Sequence, residues 1–162
     1  MRAAAPLLFA LAACSAEPMA LLHELEGSWS GTHRLLGDDT AYAADYTIRR
    51  EGGTLIWEFR SDWNGGFTGR GVQHWDPRFE KVIESWTDSL NPGKESVSRG
   101  AIDPAAGILA MSSEETDPAT GTRVPYLHVT RIVSRDAWHY VMTRMPEGAA
   151  PQDVMRIEMR RK

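Results

Sequence analysis

A chain of 162 residues that is 42% hydrophobic and 25% charged has the apolar material for one folded domain and too little length for two. Its formal net charge of −4 provides no basic face for nucleic acid, and a single cysteine, Cys14, excludes a disulfide framework and any zinc site made of several thiolates.

The first element in chain order is a leader. Met1-Arg2-Ala3-Ala4-Ala5-Pro6-Leu7-Leu8-Phe9-Ala10-Leu11-Ala12-Ala13 carries one positive charge, then a short uncharged run, then small residues. This order predicts a secretory signal over residues 1–13, too short for a transmembrane helix, which needs about 20 apolar residues. Leu11-Ala12-Ala13-Cys14 resembles the bacterial lipobox. The resemblance implies cleavage before Cys14, lipid on that cysteine, and a lipidated tether over residues 14–18 that holds the protein to a membrane. Ser15 stands where an Asp would resemble the inner-membrane retention signal, so the expected address is the cell envelope, at the outer membrane facing the periplasm. Loss of the leader leaves 17 basic against 22 acidic residues, a net charge of −5.

Residues 19–162 are expected to form the globular domain. Met19, Leu22 and Leu25 recur at helical spacing in a stretch without β-branched residues, which predicts one or two helical turns ending at Gly27. Beyond it the chain reads as strands, over residues 28–36, 41–50, 54–63, 68–75, 81–88, 95–103, 108–114, 123–133, 137–145 and 154–161. Alternation is plainest at the end, where Met155, Ile157 and Met159 oppose Arg156, Glu158 and Arg160. Asp103-Pro104-Ala105-Ala106-Gly107 and Asp117-Pro118-Ala119-Thr120-Gly121 share one turn chemistry. In it Asp accepts from following amides, Pro presets φ and Gly takes the left-handed position. Ten strands on short hairpins, with no helical crossover, predict an all-β fold: a single antiparallel up-and-down barrel with a short N-terminal helix, in which closure removes the exposed edges. A two-sheet sandwich is the alternative.

The candidate ligand-binding residues are Trp57, Trp75, Trp86, Asp88, Arg99 and His128. Six tryptophans suit a lumen for a flat or apolar ligand, and equally suit core filling. Val82, Glu84, Trp86 and Asp88 share one strand face, which places Asp88 near a barrel mouth beside Trp86 or on a loop amide. Arg99, Arg131 and Arg144 each sit in an apolar or small-residue strand. An inward Arg there could hold an acidic head group, with Arg99 as the candidate and the other two expected on the outer face. On a strand His74 and Asp76 share a side, and Asp76 is expected to begin an Asp-Pro turn. No two of the five histidines have the i, i+4 spacing of a helical zinc site, so no metal is expected. No nucleophile elbow, phosphate loop or dinucleotide fingerprint occurs, and no catalytic residue is assigned.

Gly27-Ser28-Trp29 opens the first strand and resembles the Gly-x-Trp motif of lipocalins and their calycin relatives. The resemblance implies that Trp29 closes one barrel end beneath an Arg of the last strand, with Arg160 expected in that role and Arg161 as the alternative. A longer resemblance, from about residue 22 to 162, is to the bacterial domain-of-unknown-function 1579 family. It is carried by Leu25-Glu26-Gly27-Ser28-Trp29-Ser30-Gly31, Phe67-Thr68-Gly69-Arg70-Gly71, Trp75-Asp76, Trp86-Thr87-Asp88-Ser89 and Glu158-Met159-Arg160-Arg161-Lys162. It implies a calycin-like barrel and no established activity. Ten-strand calycin barrels that bind haem through a His also exist, and by that likeness His128 or His139 would be the ligand, although no cofactor is expected.

The expected function is therefore that of an envelope lipoprotein whose barrel binds a small, largely apolar ligand without catalysis. The alternatives are a hydrolase or isomerase using Asp88 with His74 or His128, or a protein-interaction module of envelope assembly.

Overall fold

A computed structural model describes residues 18–116 and 121–162. The expected leader, Cys14 and most of the Asp117-Pro118-Ala119-Thr120-Gly121 turn lie outside the described residues.

Helix α1 (Ala20–His23) precedes ten strands: β1 (Gly27–Leu35), β2 (Tyr42–Glu51), β3 (Thr54–Ser61), β4 (Phe67–Asp76), β5 (Lys81–Asp88), β6 (Ser96–Asp103), β7 (Ile108–Thr116), β8 (Arg123–Ser134), β9 (Ala137–Arg144) and β10 (Gln152–Arg161). Each strand pairs antiparallel with its neighbours in sequence, and β1 pairs with β10 to close the barrel. The predicted third strand ends two residues early, because Trp63–Gly65 form a 3₁₀ turn with Asn64 in the left-handed region at φ 53°. The Asp turns behave as their chemistry requires. Asp103 Oδ1 accepts from the Ala105 and Ala106 amides at 3.1 and 3.0 Å, and Asp76 Oδ1 accepts from the Arg78 amide at 3.0 Å.

One end of the barrel is plugged. Met19, Leu22 and Leu25 of the α1 segment are buried there against Trp29 and Leu55 in a single core cluster. Trp29 Nε1 donates to Leu25 O at 2.8 Å, and the guanidinium above its ring, 4.2 Å from the centroid, is that of Arg161. Arg161 also donates to the carbonyls of Glu26 and Glu24 at 2.8 Å and of Arg135 at 3.1 Å, tying helix, first strand, last strand and the β8–β9 turn into one joint. The expectation for Arg160 is corrected: it pairs opposite Ser30 and is exposed, whereas Arg161 pairs opposite Trp29 and shares its inward side. Gly27 is required at this joint. Its φ is +136°, and a Cβ would come within 2.6 Å of Arg161 Nη1.

The other end is the mouth, ringed by the β1–β2, β3–β4, β5–β6, β7–β8 and β9–β10 connections. Exposed Leu36, Leu90 and Met145 stand on three of these loops.

Removal of the Arg161 guanidinium leaves three carbonyl groups and the Trp29 face without their partner. Arg161→Ala is expected to lower stability by about 3 kcal/mol in urea unfolding, and Arg160→Ala to stay within about 0.5 kcal/mol of wild type.

Candidate functional site

Strand register sorts every side chain to the lumen or the outer wall. Tyr46 faces Phe59, Trp57 faces Gly71, Gln73 faces Glu84, Glu84 faces Ser98, Met111 faces His128, and His128 faces Met142. All of these belong to the inward set. Arg99 pairs opposite Ile83 on the outer wall and is exposed, which corrects its expected role as an inward anchor for an acidic head group. Arg131 is outside as expected. Arg144, expected outside, pairs opposite Tyr126 on the lumen side near the mouth. His139 and His74 are exposed on the outer wall, and Asp76, on the same strand face as His74, is buried with its carboxylate held by Arg78.

The lumen has two halves. Next to the plug, Trp29, Tyr46, Trp57, Phe59 and Trp138 pack ring to ring with centroids 4.5–6.1 Å apart. Trp57 is part of this filling, and Trp75 packs against the same cluster.

From mid-barrel towards the mouth, the inward residues of β4 to β9 carry the polar groups of the lumen, interleaved with Phe67, Trp86 and Met142. Gln73 Nε2 donates to Glu84 Oε2. His128 has one ring nitrogen 2.8 Å from Ser113 Oγ and the other 2.7 Å from Tyr140 Oη, so both nitrogens are engaged and neither is free for an axial metal bond. Burial pushes the Glu84 carboxyl up to about 7 and the His128 imidazole down to about 4; both are therefore tuned toward their neutral forms. Burial also raises Glu115, and the nearby Asp88 carboxylate adds to that shift. Trp86 lies flat along β4, its ring occupying the space that a Cβ at Gly69 or Gly71 would need, at 2.1 and 3.2 Å. Asp88 holds it there: one oxygen accepts from Trp86 Nε1 at 3.2 Å, and the other accepts from the Leu90 and Asn91 amides at 2.9 and 3.1 Å. Asp88 is thus a positioning residue, and it meets neither His74 nor His128.

Glu84 and Tyr140 are inward by register and still keep part of their surface accessible. Trp86, Tyr126 and Met142, also inward, are likewise partly accessible. Two outer clefts, about 530 and 300 Å³, lie elsewhere. The first is over Arg99, Ala101, Ala110 and Ser112, and the second is beside Asp45, Arg60 and Thr68.

The sequence reading missed Gln73, Ser113 and Tyr140. Tyr140 shares a face with Trp138 and Met142, and Glu84 shares one with Val82 and Trp86, so a polar group on an apolar inward face was the available signal.

The two central groups oppose each other in their pH dependence. Glu84, raised in the folded state, favours folding most below about pH 4.5 and loses that contribution as pH rises to about 7. His128, depressed in the folded state, acts in the reverse sense. Its contribution is complete above about pH 6.5 and is lost as pH falls to about 4; buried His33 adds in the same direction. Urea unfolding of Glu84→Gln is expected to show stability rising more steeply with pH between 4.5 and 6.5 than in wild type. At pH 7.5 the variant should be the more stable by about 3 kcal/mol, and equal stability there would count against a buried, unpaired carboxyl.

The solved structure of Rv2717c from M. tuberculosis has this fold. It superposes with a TM-score of 0.65, covering 91% of this chain and 98% of that one at 16% identity. A DUF3598-family protein of unknown function from Nostoc punctiforme covers 91% and 100% at 8% identity, with a TM-score of 0.26 that is too low to bear on the fold. No curated protein matches the sequence. A family model spans residues 15–161, from ahead of the plug helix to the Arg161 that closes the barrel, and the chain therefore belongs to the family described as protein of unknown function DUF1579.

Proposed function

We propose that the barrel binds a small, largely apolar molecule in the mouth half of its lumen, without catalysis. The accessible surface of the inward residues Glu84 and Tyr140 carries this reading: a barrel filled throughout, as its plugged half is, would leave none there. Trp86, Met142 and Tyr140 supply an apolar wall, and the Ser113–His128–Tyr140 and Gln73–Glu84 pairs supply polar groups that orient a ligand. The acid/base alternative needs a carboxylate beside an imidazole, but Asp88 is spent on the Trp86 indole and two loop amides.

N-phenyl-1-naphthylamine, a neutral probe that brightens in apolar surroundings, is expected to bind saturably and to accept excitation energy from tryptophan. The Trp86→Phe variant should lose a large part of that transfer. Absence of saturable uptake would remove the binding reading.

The leader and Cys14 support a further part of the proposal, in which the barrel is held by lipid on Cys14 at the outer membrane, facing the periplasm. In cells fed labelled palmitate, the full-length protein is expected to carry label and sediment with membranes, and Cys14→Ala to lose both. A labelled or membrane-bound Cys14→Ala protein would overturn the assignment.

A further inference from the structure

The lumen holds one buried carboxyl group, Glu84, on which no cation acts among the described residues: the shift of its carboxyl comes from burial and from the Gln73 amide alone. Glu115 and Asp88 face the same space and repel each other, and Tyr140 registers the charges of both Glu84 and Glu115. On the lumen side the basic groups are Arg144 at the mouth and Arg161, which is committed to the plug. With Arg99 on the outer wall, the lumen is built against an acidic head group rather than for one.

A second observation, independent of charge, indicates the missing group. Gln73 is 2% exposed, and its Nε2 is spent on Glu84. Its Oε1 is buried with no hydrogen-bond partner. The amide turns its nitrogen toward Glu84 and leaves its oxygen as an unused acceptor beside that carboxyl group. A buried acceptor without a donor is destabilising, and a donating ligand would relieve it. Immediately toward the mouth, the Trp86 indole lies with one face on the Gly69–Gly71 backbone and is partly accessible on the lumen side. Paired acceptors, one of them anionic, beside an indole face match a cation with several N–H donors.

We propose that the ligand is a hydrophobic amine, its protonated nitrogen held by the Glu84 carboxylate and the Gln73 Oε1 beside the face of Trp86, and its apolar body lying against Tyr140 and Met142. This rests on the ligand-binding reading above and adds the head-group class. Glu84, with its carboxyl near 7, is ionised by such a ligand at neutral pH. The groups that face it from the packed strands are Tyr46, Gln73, Ser98 and Tyr140, none of them cationic at that pH.

The test uses three probes with one tail and different heads: octylammonium, 1-octanol and octanoate, each displacing N-phenyl-1-naphthylamine from the wild-type protein at pH 7.5. Octylammonium is expected to bind at least tenfold more tightly than octanol, with octanoate weakest. In Glu84→Gln the ammonium-to-octanol preference should fall about tenfold, toward unity. Octanol or octanoate binding as well as octylammonium, or a preference unchanged in Glu84→Gln, overturns the amine assignment while leaving the binding reading intact. If the naphthylamine itself does not bind, the binding reading fails first. Should Glu84→Gln not fold, the head-group series on wild type decides the matter alone.

Discussion

Arg161 holds the two ends of the chain together. Its guanidinium lies over Trp29 on the first strand and donates to carbonyls on the helix-to-strand connection and on the β8–β9 turn. A planar fork of donors is suited to this position, because it satisfies carbonyls that no strand partner reaches while covering an aromatic face. Once that end is sealed, water is kept from the Trp29, Tyr46, Trp57, Phe59 and Trp138 cluster, and the apolar content of the lumen is concentrated there. Most of the polar inward residues lie from mid-barrel towards the opposite end.

The strands and turns were readable because they rest on local chemistry: period-two alternation, Asp-Pro turns and glycines with φ > 0. The whole barrel could be anticipated from these and from closure as the remedy for exposed edges. Face assignment was harder where the inside is itself polar. In β6 the inward residues are Ser96, Ser98, Gly100 and Ile102, while Val97 and Ala101 flank Arg99 on the outer wall, so reading apolar as inward misplaces most of the strand. β9 ends in Arg144 on the lumen side for the same reason. The Arg160 and Arg161 pair shows the sensitivity of register: adjacent identical residues differ completely in role, and only the pairing of Trp29 with Arg161 separates them.

Glu84 and Gln73 weaken the fold at neutral pH. A carboxyl pushed to about 7 by burial detracts from stability at neutral pH, and an amide oxygen without a donor does so again. Apolar residues of similar shape would pack more favourably at both positions. Their presence among the inward residues, against a plugged half that is almost wholly apolar, means that stability is concentrated at the sealed end of the barrel.

The α1 segment has a geometric consequence. Pro18 enters the fold through the helix that seals the plugged end, so any restraint on the chain ahead of it pulls on that end. A barrel leashed this way turns its opening outward, toward passing solutes, and keeps its sealed base toward whatever holds the leash. Exchange of contents would then proceed through water or by docking of another molecule at the rim, and would not require the opening to dip into the anchoring surface.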